Sequence, residues 1–183
     1  MGTPTSYDCT FGTVINEMMS KTGTMLDTEI LGSYFRFVSN ALERSEVDLG
    51  ALKATFVKEM KISFEDLNII VNPFEAMYTI ADHTRTLLFA ISDGSIPSNV
   101  GGGYNLRVIL RRALAILERL GWKFDLAEIA DIHIEYLKRM YPELEEHVND
   151  VRTILQIESN RYLGSKERMN SITSSIKGKK QSL

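Results

Sequence analysis

Residues 79–113 read TIADHTRTLLFAISDGSIPSNVGGGYNLRVILRRA, and this stretch decides how the rest of the chain is interpreted. Both ends carry apolar residues at helical spacing, and the centre holds the glycines, serines and proline typical of a turn. The stretch therefore predicts a helix, a turn and a second helix that carries a row of arginines. From Arg85 to Arg119 the sequence holds five arginines and no lysine, against only Asp93 and Glu118.

The remainder of the chain also has a helical pattern. Apolar residues recur at i, i+3, i+4 and i+7 in nearly every segment, and no strand pattern is evident. Asp27, Asp48, Ser63 and Asp125 stand where N-caps are expected, and Gly121 stands where a helix should end. The predicted fold is all-α, a multi-helix bundle in which the first three or four helices can form a separate layer.

Asn72-Pro73-Phe74-Glu75 is the sharpest local signal for a helix start. It places Asn at the cap, Pro at the first helical position and Glu at the third. This signal allows the predicted helical domain, residues 1–165, to divide into subdomains 1–71 and 72–165. The last predicted helix runs from residue 143 to 165, and the polar residues 166–183 are expected to fray into a tail.

Composition limits the class of protein. The chain has 183 residues, of which 44% are hydrophobic and 25% charged, the balance of a globular protein. The single cysteine, Cys9, cannot form an internal disulfide and fits a reducing, cytoplasmic setting. No apolar run approaches the roughly 18 residues of a membrane span. The net charge is −3, so any argument for RNA binding must rest on where the cations lie.

The motifs of the central stretch occur in a characteristic order. Its ADH-x-R, DG, PSN, GY-x-LR and RR elements resemble the alanyl-tRNA synthetase family, in which such a block lies just beyond the catalytic domain. The opening Gly2-Thr3-Pro4-Thr5-Ser6-Tyr7-Asp8 resembles the segment that follows the last class II catalytic motif in the archaeal form. The likeness covers residues 2–165 and implies an internal fragment, the tRNA-recognition region.

The resemblance implies how the intact enzyme works. That enzyme activates alanine with ATP and Mg²⁺ and transfers it to the 3′ end of tRNA. This region would hold the acceptor stem of tRNA-Ala, beside the catalytic and editing domains of the same chain. Class II motifs 2 and 3 are missing, so no catalysis and no cofactor are expected here. The HxxxH and CxxxH elements of the zinc-binding editing domain are also absent.

Four arginines are candidate tRNA-binding residues. Arg107, Arg111 and Arg112 lie outside the apolar stripe of their helix, and Arg85 lies near the end of the preceding helix. A solvated helix face is the ordinary interpretation of such residues. The resemblance favours RNA contact instead, and planar guanidiniums suit phosphates and base edges.

Asn72 has two interpretations. Alone it is a helix cap, but in the family an asparagine shortly before ADH-x-R reads the G·U wobble pair of tRNA-Ala. An amide can accept from the free guanine 2-amino group in the shallow minor groove of A-form RNA. Asn68 is a rival for this role. The aspartate that completes the reading pair in the family has no counterpart after Asp150.

Two other functions stay open at this stage. A small helical enzyme would need Asp82, His83 and Asp93 to converge in a pocket, whereas a polar structural anchor is the simpler role for the first two. A helical protein–protein scaffold without RNA binding would show an exposed apolar patch and no cation cluster. The glycines 101–103 predict a turn that lets the next helix pack closely, with a phosphate contact as the alternative.

Overall fold

The computed structural model describes residues 6–25, 27–42 and 48–180, without the side chains of residues 6–8, 28, 42, 49 and 177–180. The opening motif at residues 2–8 therefore falls mostly outside the described part. Every regular element in that part is helical, which confirms the all-α prediction. The helices are α1 Ser6–Thr22, α2 Thr28–Leu42, α3 Leu49–Met60, α4 Phe64–Ser92, α5 Gly101–Leu120, α6 Leu126–Leu137, a 3₁₀ helix Pro142–Glu145, and α7 Val148–Lys180.

The chain divides into two compact units, Met1–Asp82 and His83–Leu183. The division falls inside α4, the same helix that contains the boundary predicted at residue 71. No helix among the described residues is both long and apolar enough to cross a membrane.

An aromatic cluster forms much of the core of the first unit. The ring of Tyr34 on α2 lies 5.2 Å from that of Phe56 on α3, and Phe35 lies 4.8 Å from Phe74 on α4. Ring pairs at these distances add stability beyond the apolar area that they bury. Burial raises the pKa of Tyr34, and the nearby carboxylate of Glu75 raises it further. The apolar spacing predicted for these helices is therefore the spacing that builds this core.

The predicted caps are present. Asp27 Oδ1 accepts hydrogen bonds from the amides of residues 29 and 30, and Asp48 accepts one from Gly50. Ser63 and Asp66 form a reciprocal capping box at the start of α4. Asp125 forms a second capping box at the start of α6. These side chains satisfy amides that have no partner within the helix, so they fix where each helix begins.

The helix start predicted at Asn72 is wrong, because α4 continues from Phe64 to Ser92 with Pro73 in its interior. Proline lacks the amide that would bond to the residue 69 carbonyl and disfavours an interior helical position by about 3 kcal/mol. Packing outweighs this local cost. An apolar stripe runs through the proline without a break, and each of its members is buried: Leu67, Val71, Phe74, Tyr78 and Ala81.

The second unit is built mainly from α5, α6 and α7, whose apolar faces are buried together. The inward positions of α5 and α7 are Leu110, Ala113, Leu117, Val151 and Leu155. At the edge of this core Arg152 donates to Asp131 through Nε and Nη2, both at 2.9 Å, and so joins α7 to α6. Exposed pairs of this kind contribute little stability, so apolar burial holds the unit together.

The end of the chain differs from the prediction. The 3₁₀ helix Pro142–Glu145 precedes α7, which begins at Val148 and stays helical to Lys180. Residues 166–180 therefore do not fray, although residues 167–176 are all exposed. The last three residues of the predicted tail, 181–183, lie outside the described part.

Candidate nucleic-acid interface

The loop between α4 and α5 is held closely against α5. Gly94, at φ 87°, ends α4 in a Schellman motif, in which the Ser95 amide donates to the Ala90 carbonyl at 2.9 Å. The Ser98 amide donates to the Gly103 carbonyl at 2.9 Å. A Cβ atom on Gly103 would overlap the carbonyl oxygen of Ile96 and the Ser98 side chain. The turn predicted at residues 101–103 is therefore wrong, because these residues open α5, but close packing does require glycine at position 103.

Arg107 is placed differently from the prediction, because its guanidinium is used inside the protein. Its side chain is only 15% exposed. Nε and Nη2 donate to the two carboxylate oxygens of Glu158 at 2.9 and 2.8 Å. Nη2 also donates to the Pro97 carbonyl at 3.1 Å, and Nη1 donates to the side-chain oxygen of Asn99. Arg107 therefore joins α5, α7 and the loop, and we name this arrangement the Arg107 clamp.

Glu158 is the buried partner in the clamp, with a side chain that is 3% exposed. It accepts a further hydrogen bond from Arg161 Nη1 at 2.6 Å. Burial pushes the pKa of Glu158 upward, but the hydrogen bonds and charges of Arg107 and Arg161 together outweigh burial, so the pKa lies below its ordinary value. The carboxylate is therefore ionised and paired at neutral pH.

Sequence reasoning overlooked Glu158, although a signal was present. This glutamate lies on the inward stripe of α7 together with Val151, Leu155 and Tyr162, at helical spacing. Because an acidic residue is rarely fully buried unless it is paired, its position on that stripe predicts a cationic partner. Which cation it meets could not be read from the sequence, since Arg107 lies 51 residues away.

Arg111, Arg112 and Arg119 lie on the outward side of α5 and are exposed, as predicted for residues off the apolar stripe. No hydrogen bond or ion pair to any of the three is found within the described residues. Two exposed apolar side chains, Tyr104 and Val108, share this side of the helix. The outward side therefore presents guanidinium donors together with an aromatic ring.

The only acidic residue of α5, Glu118, is held by α7. It pairs with Lys166 and accepts a hydrogen bond from the Tyr162 hydroxyl at 3.2 Å. The hydrogen bond from Lys166 is the main reason that the pKa of Glu118 is lowered. Burial raises the pKa of Tyr162 and Glu118 raises it further, while the charge of Lys166 and, to a smaller extent, that of Arg111 lower it. Lys166 thus offsets the negative charge of Glu118. The outward side of α5 therefore keeps the positive charge of its arginines.

The other two candidates lie on α4. Arg85, in the second unit, is half-buried and interacts with its surroundings. Asn72, in the first unit, is exposed, whereas its rival Asn68 is half-buried. Because α4 is continuous, Asn72 does not cap a helix. Arg107, Arg111 and Arg112 thus share α5, while Arg85 and Asn72 belong to two different parts of α4.

The residues of the alternative enzyme differ in exposure, and none of them lines the cavity described for the second unit. Asp82 and Asp93 are exposed and His83 is half-buried. A shallow cavity of about 300 Å³ in the second unit has none of them in its lining. Within the described residues, no group of three or more His, Cys, Asp or Glu side chains could hold a metal ion. The described residues therefore do not form a site for the zinc of an editing domain.

Comparison with known proteins identifies the class. A family described as tRNA synthetases class II (A) matches residues 2–182, and the chain belongs to this family. The particular member that it resembles is alanine–tRNA ligase. The enzyme of Nitrosopumilus maritimus (strain SCM1) is 45% identical over 179 residues, which cover 98% of this chain and 20% of that protein.

Other archaeal relatives agree. The alanine–tRNA ligase of Cenarchaeum symbiosum (strain A) is 46% identical over 175 residues, 96% of this chain and 20% of that protein. The enzyme of Methanothermobacter thermautotrophicus is 38% identical over 167 residues, 91% of this chain and 19% of that protein. The chain thus spans about a fifth of the length of these relatives, and it corresponds to one region of alanine–tRNA ligase.

Proposed function

We propose that this chain is the tRNA-recognition region of alanine–tRNA ligase and that it binds the acceptor stem of tRNA-Ala through the outward side of α5. One observation carries the proposal: Arg111, Arg112 and Arg119 are exposed, while the only acid of that helix is paired with Lys166. This side of the helix is therefore cationic, although the whole chain has a net charge of −3. Guanidiniums bind phosphate oxygens in a planar, two-pronged geometry that suits a duplex backbone.

Within this proposal the arginines have two roles. Arg111 and Arg112 contact RNA phosphates directly, and Arg85 contributes from the end of α4. Arg107 instead holds α5, α7 and the loop in place, because all three of its nitrogens already donate to protein acceptors. Phosphate contacts fix where a protein sits on a duplex but do not read its sequence. Specificity for tRNA-Ala must therefore come from another residue.

We assign the recognition of the G·U wobble pair to Asn72. Its amide is exposed and has no hydrogen bond within the described residues, and it does not serve as a helix cap. An exposed amide can accept from the guanine 2-amino group and donate in the same plane.

Binding of the chain to two acceptor-stem duplexes tests both assignments. One duplex carries the G·U pair and the other carries G·C at the same position. We expect tighter binding to G·U, and we expect Asn72→Asp to reduce this preference, because the change removes the amide donor and adds a negative charge near RNA. Asn68→Asp is the matched control. Equal discrimination by Asn72→Asp and wild type would assign the reading role elsewhere, and absence of binding to either duplex would reject the proposed function.

The longer enzyme is part of the same proposal. It would activate alanine with ATP and Mg²⁺ in a catalytic domain, edit its product in another, and act in the cytoplasm, where tRNA is charged. The class II motifs needed to bind ATP are absent from this chain, so the chain alone should not support alanine-dependent pyrophosphate exchange. Exchange above that of a mock purification would contradict the assignment of this region to recognition.

A further inference from the structure

Tyr104 is an exposed tyrosine near the start of α5. The residue is 55% exposed, and its side chain forms no hydrogen bond or ring pair with any part of the chain that the structure describes. A helical side chain leans over the turn before its own Cα atom, so the ring is directed toward the turn that contains Gly101. A Cβ atom added to Gly101 would meet no atom within 4 Å. The ring therefore has room beside it for a flat group of a ligand.

The ring shares one side of α5 with the outward arginines. Arg111 follows Tyr104 by seven residues, almost two complete turns, so the two side chains point in nearly the same direction about 10 Å apart along the axis. Val108, one turn after Tyr104, and Ala115, one turn after Arg111, are also exposed. One continuous exposed surface thus connects the ring to the guanidinium, and a single RNA can contact both.

The two halves of this surface differ in charge. The second half carries Arg111, Arg112 and Arg119, and its one acid, Glu118, is offset by Lys166. The exposed residues of the first half are all uncharged: residues 101, 102, 104, 105 and 108. Guanidiniums bind phosphates, so the second half suits the backbone of an RNA. The first half, with its tyrosine ring, suits an uncharged aromatic group such as a base.

An aromatic side chain stacks only on a base whose face is accessible. Inside a duplex the neighbouring pairs cover both faces of each base, so aromatic residues of proteins stack on bases in single-stranded segments and at ends. Cations that suit a duplex backbone, with a free ring about 10 Å away along the same helix, therefore fit a junction. At such a junction the duplex ends and one strand continues unpaired.

We propose that Tyr104 stacks on the first unpaired base beyond the end of the acceptor stem, while Arg111 and Arg112 bind phosphates of the paired part. This inference rests on the proposed function, because it adds a contact to the same site. The unpaired strand is the 3′ strand, to which the proposed enzyme attaches alanine. Stacking favours a stem with a single-stranded 3′ continuation over a blunt duplex and tolerates any base, since every base has an aromatic face.

Three RNAs test the proposal in titrations with the whole chain, followed by fluorescence anisotropy. The first is a blunt stem duplex, the second carries a short 3′ tail, and the third carries the same tail without its bases. The two tails have equal charge, so a difference between them reports contacts to bases and not to phosphates. We expect the tail with bases to bind at least about fivefold more tightly than the abasic tail, the low end of what one stacked base contributes. Equal affinity for the two tails overturns the proposal.

Three variants assign the effect to the ring. Tyr104→Leu keeps an apolar side chain without a ring and should remove the preference for the tail with bases, whereas Tyr104→Phe keeps the ring and should retain it. Tyr136→Leu is the matched control, because Tyr136 lies on α6 and is 46% exposed. It should bind all three RNAs as wild type does. Circular dichroism should show the variants folded, since both tyrosines are exposed. A preference that survives in Tyr104→Leu contradicts the proposal.

A second readout does not depend on affinity. A fluorescent purine analogue at the first position of the tail emits less light when it stacks on an aromatic ring. At saturating protein we expect lower emission in the complexes of wild type and Tyr104→Phe than in that of Tyr104→Leu. Equal emission in the three complexes contradicts the proposal.

Failure of this inference can be distinguished from failure of the proposed function. If none of the three RNAs binds, the proposed function is rejected together with the stacking. If all three bind with equal affinity, the stacking alone is rejected, and the arginine surface remains a site for the duplex. Self-association of the chain that Tyr104→Leu abolishes would assign the ring to a protein contact, and this result also contradicts the proposal.

Discussion

Arg107 and Arg111 lie one turn apart on α5, yet their surroundings are opposite. Arg107 is 15% exposed and donates to Glu158, Pro97 and Asn99, whereas Arg111 is exposed on the outward side. The same residue type on one helix therefore supports the fold at one position and faces solvent at the next. The difference comes from α7, which brings a buried carboxylate to the first position and none to the second.

The outward side of α5 depends on the Arg107 clamp, whereas the clamp does not depend on the arginines of the outward side. Arg107 attaches α5 to the loop at Pro97 and Asn99 and to α7 at Glu158. Loss of the clamp would disturb the surface that Arg111 occupies, whereas loss of Arg111 would leave the clamp in place. Variants at the two positions should therefore separate folding from binding.

The largest effect should come from Arg107→Ala. The variant leaves the Glu158 carboxylate buried with only Arg161 as a cationic partner, and removal of one member of a buried pair typically costs about 3–5 kcal/mol. We expect a loss near the lower end of that range, because Arg161 remains. Urea unfolding followed by circular dichroism measures it. Arg111→Ala is the matched control and should change the free energy of unfolding by no more than about 0.5 kcal/mol. Similar losses in the two variants would remove the distinction between them.

A smaller effect is expected from Gly103→Ala, which tests the other attachment of the loop. The added methyl group would overlap the Ile96 carbonyl, and overpacking of this kind costs about 1–3 kcal/mol. Gly102→Ala is the control, because a Cβ there meets no atom within 4 Å. That change should stabilise the helix by about 0.5–1 kcal/mol. The midpoint temperature of thermal unfolding should therefore fall in Gly103→Ala and rise in Gly102→Ala. A shift of the same sign in both variants would contradict the packing argument.

Much of this fold could be predicted from local signals. Asp27, Asp48 and Asp125 accept hydrogen bonds from amides two or three residues away. A short segment of the sequence therefore contains both partners of each cap. The helix start predicted at Asn72 was wrong because the local signal for a start there is opposed by an apolar stripe that continues past Pro73. Burial of that stripe stabilises one continuous helix more than the local signal stabilises a break. The tail at residues 166–183 was predicted from its polar composition, although the heptad spacing of Met169 and Ile176 already indicated a helix.

The site was less predictable than the fold. Exposure of Arg111 and Arg112 followed from their position off the apolar stripe. The burial of Arg107 did not, because it depends on Glu158, which lies 51 residues away and meets it only when α5 and α7 pack. A periodic pattern tells which side of a helix is apolar, but it does not tell which polar residue at the edge of that side another helix will cover.

The next effect concerns RNA and is expected at Arg111. If this arginine contacts one phosphate, Arg111→Ala should reduce the slope of log affinity against log salt by up to about one unit. Arg111→Lys should preserve the slope better than the affinity, because lysine keeps the charge but lacks the planar fork. The loss should be the same on G·U and G·C stems. Titrations at several salt concentrations measure the slope. An unchanged slope in a folded Arg111→Ala variant would mean that Arg111 is a solvated surface residue and does not contact a phosphate.

The smallest effect is expected from acid acting on the clamp. Because the folded state lowers the pKa of Glu158, the stability that this carboxylate contributes is present above the pKa of an unfolded glutamate, about 4.3. It is lost as the pH falls through the folded value. The difference in unfolding free energy between wild type and Glu158→Gln should therefore begin to shrink as the pH approaches the unfolded value, and it should go on shrinking as the pH falls through the folded value. In an Arg107→Ala background the same comparison should depend less on pH, because one of the two cations that lower the pKa is gone. Urea unfolding at several pH values measures both differences. If the difference in unfolding free energy between wild type and Glu158→Gln stays constant as the pH falls, the carboxylate does not titrate as part of the clamp.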